Sequence, residues 1–557
     1  MGSQAVSQVA RETPFVRERQ DAYNRVMPTS KGYQPNIVFI LTDQQRYDTI
    51  AALGFDYMET PNLDRLVTEG ASFDRCYITA PSCVPSRASL FQGYYPHTTG
   101  VYKNGDRWTT SWVSDLADAG YRCVNVGKMH TVPLATPAGF HERYVVENKD
   151  RFLEGRYFFD EWDKALRARG IVKQQRELYR RRDDYDRRLG AFAWELDEDM
   201  QSDNFVGGFA KWWLETYPVD QPLFMQIGFP GPHPPYDPTP RWLARYENKH
   251  LPIREFGLEE IDAQPRPLRD LRRHMLDVDH DSVVHLSKPT RAQRQFQRAC
   301  YLANVSMIDE QVGSIISALE SVDLLDDTVI VFASDHGDSL GDHGHSQKWS
   351  MYEETVRVPA IVWMGDRARV ELGAGDFQQG KRVESLVSLF DLGPTMLELA
   401  GVNPPGDMEA VSLTPLIGVG GRVGSERRGD GIGGTRTDDG SAVDHAVAVS
   451  DASWDVPPTR PAFVDDDGRR RYVFAEHGRD NILAGTDVMT MIRDERWKLV
   501  TYSGHEEGQL FDLEADPDER VNLWNSAEAS DHRRRMFDAL HEWYRESLYQ
   551  TRARRRR

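Results

Sequence analysis

Cysteine is scarce in this sequence, with four residues in a chain of 557. They are Cys76, Cys83, Cys123 and Cys300, which have neither the spacing of a zinc site nor the density of a disulfide-rich scaffold. The scarcity therefore excludes a zinc finger and a small disulfide-stabilised fold.

Long apolar runs are also missing. No segment is long and apolar enough to cross a bilayer. Residues 1–12 lack the apolar core of a secretory signal peptide. We therefore expect a soluble, cytoplasmic protein that does not contact a membrane.

Basic residues are outnumbered in the composition. The chain has 68 Lys and Arg residues against 87 Asp and Glu residues, a net charge of −19. A nucleic-acid-binding surface would be basic overall, so nucleic acid is not an expected partner. An anionic substrate stays compatible with this charge, because a few local cations can set the sign of a cleft.

What the sequence does contain is a series of apolar runs rich in β-branched and aromatic residues, at 36–42, 121–126, 222–228 and 328–333. Such runs are typical of strands buried on both faces of a parallel sheet. Each run ends in polar or ionisable residues, and open α/β sheets bind ligands outside the carboxyl ends of their strands. We predict an α/β fold with a large mixed, mostly parallel sheet flanked by helices.

The length of the chain predicts more than one domain. We expect an N-terminal arm at 1–34, a catalytic α/β domain at 35–415 and a flexible loop region at 416–470. Residues 471–557 would form a smaller C-terminal antiparallel-sheet subdomain with a terminal helix and a basic tail. Within the large domain, 151–200 reads as a charged, largely helical insertion and 238–290 as an excursion over the active-site mouth.

The segment Cys83-Val-Pro-Ser-Arg87 places a cysteine at the start of a predicted helix. Pro85 fits the first helical turn, and the free N–H groups there favour negative charge. Arg87 lies one turn later on the same side. Cys83 is either a reactive side chain in an anion-binding site or a buried structural cysteine, and the spacing alone does not choose between the two.

The pattern Cys-x-Pro-Ser-Arg resembles the signature of the formylglycine-dependent sulfatases of the alkaline phosphatase superfamily. Further segments between Pro35 and Trp524 fit that family in its own order. The resemblance implies that a formylglycine-generating enzyme oxidises Cys83 to formylglycine, whose hydrate Arg87 would hold. One hydroxyl of the hydrate would attack sulfur or phosphorus, and the other would expel the sulfate by elimination.

The same resemblance implies one divalent metal ion, with ligands at Asp43, Gln44, Cys83, Asp335 and His336. Most sulfatases have Asp-Asp and Asp-Asn at the two strand ends, whereas Gln44 and His336 resemble the phosphonate monoester hydrolase branch. One carboxylate fewer and one nitrogen ligand more make Mn²⁺ an alternative to Ca²⁺.

Four other residues match family positions near the substrate. Lys128 would bind a nonbridging oxygen, and His130 would take the proton that triggers elimination. His233 would be the general acid for the leaving group, and Lys348 would neutralise charge on the leaving oxygen. Asn104 matches a substrate-binding asparagine of the phosphonate branch.

We expect an enzyme that hydrolyses sulfate monoesters of aryl or small organic alcohols, promiscuous toward related esters and assembled as a homo-oligomer. The alternative is a phosphonate monoester or phosphate diester hydrolase. Gln44 and His336 favour the alternative, whereas Lys128 and His130 favour the sulfatase because the phosphonate branch usually replaces both. A non-catalytic binding protein would have a broken set of site residues, and here every position is filled.

Overall fold

The structure is a computed structural model. It describes residues 32–147, 159–171, 176–419, 463–465 and 468–552. Most of the predicted N-terminal arm, most of the predicted loop region and the basic tail lie outside these described residues.

The strands follow one another along the chain as β1 (Asn36–Asp43), β2 (Ala71–Tyr77), β3 (Arg122–Gly127), β4 (Glu142–Val145), β5 (Leu223–Pro232), β6 (Thr328–Ser334), β7 (Arg357–Val358), β8 (Ala360–Met364), β9 (Lys381–Ser388), β10 (Val473–Gly478), β11 (Val488–Arg493), β12 (Trp497–Tyr502) and β13 (Gln509–Asp512).

The helices are α1 (Pro61–Glu69), α2 (Cys83–Gln92), α3 (Pro96–Thr99), α4 (Val113–Asp118), α5 (Glu161–Ala168), α6 (Arg176–Arg180), α7 (Ser202–Thr216), α8 (Pro240–Leu243), α9 (Leu258–Asp262), α10 (Arg266–Asp277), α11 (Arg291–Ser321), α12 (Glu353–Val356), α13 (Asp366–Glu371), α14 (Leu392–Leu399), α15 (Thr414–Ile417) and α16 (Ser530–Gln550). Among the described residues, no helix is both long enough and apolar enough to span a bilayer.

The large sheet has the strand order β4-β3-β5-β1-β6-β8-β2-β7, and β9 also pairs with β2. The four strands predicted to end in site residues are neighbours, because β3 pairs with β5, β5 with β1 and β1 with β6, all in parallel. Their carboxyl ends therefore lie at one edge. This confirms the predicted fold class and the meeting of the four strand ends.

Strand β1 lies at the centre of this sheet and is buried along its whole length. Alternate side chains of a strand point to opposite faces. Ile37 and Phe39 accordingly enter one hydrophobic core, whereas Val38 and Ile40 enter the core on the other face. Burying an apolar side chain of this size contributes about 1.5–3 kcal/mol, which explains the continuous apolar run in the sequence.

The ends of β3 and β5 come unusually close together. Gly127 has φ +92°, and a Cβ added there would overlap the carbonyl oxygen of Gly228. A Cβ at Gly228 would overlap the carbonyl oxygen of Lys128. The two glycines thus let the backbone N–H of Lys128 donate to the carbonyl of Gly228 at 2.7 Å, which fixes where Lys128 leaves the sheet.

The smaller sheet is an antiparallel meander in the order β10-β11-β12-β13. It confirms the predicted hairpin at 488–502 and the strand after it. The aromatic ring of Phe474 in β10 stacks on Trp543 of α16 with ring centroids 4.2 Å apart. Phe474 also belongs to the hydrophobic core that contains Phe39 of β1, so the two sheets share one apolar interior.

The structure gives secondary structure to two segments of the large domain, the charged insertion at 151–200 and the excursion at 238–290. Of the charged insertion, the described part contains only the short helices α5 and α6 and isolated turns, so it is less helical there than expected. The excursion at 238–290 contains α8, α9 and α10. The 3₁₀ turn His280–Ser282 also lies within it, after α10.

Candidate active site

Helix α2 starts at Cys83, so the cysteine occupies the first turn as the sequence predicted. The side chain of Ser82, the residue before the helix, makes no capping hydrogen bond. Instead the backbone N–H of Val84 donates to Oδ1 of Asn104 at 3.0 Å. Asn104 therefore caps the helix that carries Cys83, and its contact with substrate stays a prediction.

The thiol of Cys83 is buried among charged and polar groups. Its Sγ lies 3.1 Å from Nζ of Lys348 and 3.1 Å from Nε2 of His336. Cys123 differs, because burial raises the pKa of its thiol to about 12, as for an inert structural cysteine. Of the two interpretations left open by the sequence, the surroundings of Cys83 favour the reactive side chain.

Two buried carboxylates flank Cys83 at the ends of β1 and β6. Nε of Arg87 donates to Oδ2 of Asp335 at 2.7 Å, and Nη2 donates to Oδ2 of Asp43 at 3.3 Å. Nζ of Lys128 lies 2.7 Å from the same Asp43 oxygen. Burial alone would raise the pKa of Asp43, but Lys128, His233 and Arg87 hold it well below its usual range, so Asp43 is ionised.

Gln44 presents its amide oxygen to the same site. Its Nε2 donates to Oδ2 of Asp338 at 2.6 Å, and Tyr236 donates its hydroxyl to that oxygen at 2.7 Å. These bonds leave Oε1 of Gln44 facing Nζ of Lys348 at 3.1 Å. Asp338 therefore sets the orientation of the Gln44 amide.

The orientation of His336 is fixed by its own backbone. Nδ1 lies 2.9 Å from the carbonyl oxygen of Gly337, which can only accept a hydrogen bond, so Nδ1 carries a proton. The lone pair of the neutral ring is then on Nε2, which faces Cys83. A metal-binding histidine is commonly fixed in this way by a carbonyl at its other ring nitrogen.

These groups fit a divalent cation. One possible ligand atom from each of Asp43, Cys83, Asp335 and His336 lies within 4.8 Å of the others, and all four residues are buried. Oxygen donors with one imidazole suit a hard or borderline divalent ion. The structure therefore brings together the donor set that the sequence proposed, with Gln44 beside it.

Lys128 and His130 follow β3. The backbone N–H of His130 donates to both carboxylate oxygens of Glu147 at 3.2 and 3.1 Å, and His130 has φ +62°. Its Nδ1 has no hydrogen-bond partner among the described residues. Desolvation, with the charge of Lys128, holds the pKa of His130 well below its usual range, so the ring is neutral and can accept a proton.

His233 follows β5 and is buried. Its Nδ1 lies 2.8 Å from the carbonyl oxygen of Pro234. Burial, together with Lys348, holds the pKa of His233 well below its usual range. Every site residue named from the sequence thus lies at this edge of the sheet.

Sequence reasoning missed two supporting carboxylates. Asp338 stands two residues after His336, and this nearness could have suggested a supporting role. Glu147 gave no signal, because it follows the short edge strand β4 and reaches His130 only through the pairing of β3 with β4.

Comparison with known proteins assigns the family. The family model described as Sulfatase matches residues 35–402. An arylsulfatase of Clostridium perfringens is 27% identical over 513 residues, which cover 89% of this chain and 91% of that protein. A choline-sulfatase of Rhizobium meliloti is 28% identical over 508 residues, which cover 88% of this chain and 82% of that protein.

Among solved structures, a phosphonate monoester hydrolase of Agrobacterium radiobacter superposes with a TM-score of 0.69 at 23% identity. The match covers 92% of this chain and 96% of that one, and it shows that the fold is shared.

The chain belongs to the sulfatase family. Members of this family are hydrolases of sulfuric esters, so the predicted family and enzyme class are confirmed. The oxidation of Cys83, the identity of the metal ion and the individual roles of the site residues stay predictions.

Proposed function

We propose that the protein hydrolyses sulfate monoesters of aryl or small organic alcohols, with formylglycine at position 83 and one divalent metal ion. One observation carries the proposal. Sγ of Cys83, which stands where the formylglycine oxygens would be, lies 3.1 Å from both Lys348 and His336. The ammonium group of Lys348 and the imidazole of His336, a predicted metal ligand, thus both lie within contact of the buried residue 83.

The donor chemistry supports Ca²⁺ or Mn²⁺ at Asp43, Gln44, Asp335 and His336 together with residue 83. When bound, the ion would supply Lewis acidity and lower the pKa of a formylglycine hydroxyl. Arg87 bridges the two carboxylates and keeps both oriented toward residue 83.

The cations of the site would bind the ester group itself. Lys128, after β3, pairs with Asp43, and Lys348, in the loop after β6, contacts Sγ of Cys83, so a sulfate bound at residue 83 would have two cations near it. The pKa of Lys348 is raised, because Cys83, Asp281 and Asp43 outweigh the lowering effect of burial, so it stays charged. Such preorganised charges stabilise the charge that develops in the transition state.

The two histidines would move protons. His130 is neutral, and its Nδ1 has no hydrogen-bond partner in the part of the chain that the structure describes, as a base requires. His233 has Nδ1 on a carbonyl, so its proton-donating atom would be Nε2. A base and an acid at the same edge of the sheet suit release of the sulfate and departure of the alcohol.

Hydrolysis of phosphonate monoesters or phosphate diesters is the second candidate. The pair Gln44 and His336, which resembles the phosphonate branch, favours it. The same metal site and nucleophile would serve both ester classes, since their transition states have similar charge.

The first experiment compares an aryl sulfate and an aryl phosphonate monoester that share one leaving group. We expect a higher kcat/KM for the sulfate, because Lys128 and His130 add a cation and a base. The double variant Lys128→Tyr with His130→Thr should reduce sulfate turnover more than phosphonate turnover. Each lost contact would cost about 2–4 kcal/mol in the transition state, without simple additivity.

The matched control is Lys211→Tyr on the exposed face of α7, where Lys211 only pairs with Glu215. It should leave both rates unchanged. A wide preference of the parent enzyme for the phosphonate would replace the proposed function by the second candidate.

The proposed modification has its own test. Peptide mass spectrometry across 80–92, on protein produced with the formylglycine-generating enzyme, should recover part of residue 83 as formylglycine. Cys83→Ala should abolish turnover. Fully active protein that contains only unmodified cysteine would overturn the mechanism.

A further inference from the structure

A carboxylate outside the family motifs faces His233. Oδ2 of Asp281 lies 3.7 Å from Nε2 of His233. Asp281 belongs to the 3₁₀ turn after α10, within the excursion at 238–290. The two residues are 48 positions apart, so only the folded chain brings them together.

The geometry of His233 makes this neighbour chemically important. Because Nδ1 donates to the carbonyl of Pro234, the ring can exchange a proton with substrate only through Nε2. As a general acid, His233 has to carry a proton on that atom when the alcohol leaves. An anion beside Nε2 stabilises the protonated ring.

The charges around His233 otherwise oppose its protonation. Burial and the cations Lys348 and Lys128 all disfavour the imidazolium, whereas Asp281 and Asp43 favour it. Asp43 already pairs with Lys128 and Arg87. Asp281 is the carboxylate with an oxygen 3.7 Å from Nε2 of His233.

The turn that carries Asp281 is built to hold it in place. Asp281 and the next residue, Ser282, both have left-handed backbone conformations, with φ +55° and φ +61°. Non-glycine residues adopt this conformation at a cost, and they keep it only where surrounding structure enforces it. Nε2 of Gln347 donates to the carbonyl of His280 at 3.0 Å, which ties the turn to the segment that carries Lys348.

A second anchor holds the other side of the turn. Nε of Arg180 donates to Oδ2 of Asp279 at 2.8 Å, and the hydroxyl of Tyr185 donates to the same carboxylate. Both partners belong to the charged insertion before α7. Through these two residues the insertion helps to position the turn.

We propose that Asp281 is a positioning residue that holds His233 with a proton on Nε2, directed at the leaving-group oxygen. As the bond from sulfur to that oxygen breaks, the oxygen keeps both bonding electrons and takes the Nε2 proton, and His233 becomes neutral. This inference rests on the proposed function. It adds Asp281 to that function as the residue that positions the general acid His233.

The test uses a series of esters whose alcohols differ in acidity, from 4-nitrophenyl to phenyl to a simple alkyl sulfate. A good leaving group departs without a proton, whereas a poor one needs the acid. General-acid assistance is worth about 10²–10⁴-fold. We expect Asp281→Asn to lower kcat/KM about 10- to 100-fold for the alkyl ester and less than about 3-fold for the 4-nitrophenyl ester.

Asparagine suits this test because it tolerates the left-handed conformation, so the turn is retained. Asp281→Glu keeps the charge and should restore part of the lost rate on the poor leaving groups. His233→Ala should show the same dependence on the leaving group, and adding Asp281→Asn to it should change nothing further.

The matched control is Asp277→Asn, which removes an exposed carboxylate at the end of α10, four residues before Asp281. It should affect all esters equally, if at all. A uniform loss in Asp281→Asn, or a further loss when it is added to His233→Ala, would overturn the inference. A parent enzyme that hydrolyses no sulfate ester but turns over the matching phosphonates would instead refute the proposed function, and the same series is then run with phosphonates.

Discussion

The orientation of one amide decides which atom Gln44 offers to the metal site. Its Nε2 is bound to Asp338, so its oxygen is the atom left facing Lys348 and Cys83. The Asp338 carboxylate is itself fully used, because Oδ1 accepts the backbone N–H of Leu340 and Oδ2 accepts from Tyr236 as well. Gln44, a predicted metal ligand, is thus held in its orientation by Asp338.

Asp338→Asn tests this support. Asparagine has only one carbonyl oxygen, so it cannot accept from both Leu340 and Gln44, and the amide of Gln44 loses its fixed orientation. Loss of such an outer contact typically lowers metal affinity about 10- to 100-fold. Competition against a graded chelator measures it directly. Tyr236→Phe, which leaves the bond to Gln44, should weaken binding less; equal affinity in Asp338→Asn and the parent protein would contradict this role.

The burial of His285 leads to a separate prediction about the stability of the folded protein at low pH. Burial lowers its pKa to about 4, against an ordinary value of 6.5. The folded protein therefore resists protonating His285, whereas the unfolded chain takes up the proton below about pH 6.5. This stability is complete above pH 6.5 and is lost as the pH falls toward 4, by about 3 kcal/mol at about 1.4 kcal/mol per pKa unit.

His285→Gln, which keeps a donor for the carbonyl of Gly344, should reduce the fall in Tm between pH 7 and pH 4.5. The same change at the exposed His250 should leave the fall unaltered. An identical pH profile in His285→Gln and the parent protein would rule out this explanation.

Residues at the strand ends could be predicted from the sequence, whereas their supports could not. Asp43, Lys128, His233 and Asp335 each follow an apolar run, and adjacent parallel strands bring such positions to one edge. Asp281 has no comparable pattern, because a left-handed turn and tertiary packing carry it to His233. Local signals fix a strand and its end, but packing between distant segments decides which charges face each other.

At the scale of elements, the approach of β3 to β5 sets the position of Lys128. Its carbonyl accepts from Nη1 of Arg87 at 2.9 Å, so the strand end is also tied to α2. Any atom inserted between Gly228 and Lys128 would move both the lysine and the arginine. The position of Lys128 therefore requires glycine at residues 127 and 228, where a side chain would not fit.

Gly228→Ala should therefore lower both stability and activity. The new Cβ meets backbone atoms of Lys128, which cannot rotate away. A displacement of about 1 Å in a catalytic group can cost about 10²-fold in rate. Gly208→Ala is the matched control, because a Cβ there meets nothing within 4 Å in the exposed part of α7 and should be neutral or slightly stabilising. Equal activity of the two variants would contradict the proposed spacing.

At the scale of the whole molecule, a buried ion pair joins the two sheets. Nε and Nη2 of Arg470, just before β10, donate to the two oxygens of Asp391 at 2.7 and 2.6 Å. Nη2 also donates to the carbonyl of Glu409 at 3.1 Å. Asp391 closes the 3₁₀ turn Leu389–Asp391 that directly follows β9, so this pair fixes the smaller sheet against the larger one.

Arg470→Met should lower the free energy of unfolding by about 3–5 kcal/mol, because it leaves the Asp391 carboxylate buried without its partner. Denaturant titration measures the change. The exposed pair of Arg169 and Asp199 supplies the control, since Arg169→Met should make no measurable difference. If both variants unfold at the parent's midpoint, the Arg470 pair does not hold the two sheets together.

The smaller sheet also reaches the start of α2. Nδ1 of His477 at the end of β10 lies 3.3 Å from Oγ of Ser82, the residue before Cys83. Every side chain assigned to the chemistry precedes residue 349, so a growing chain displays all of them long before it contains His477. Residue 83 is therefore synthesised well before the strand whose end contacts the start of its helix.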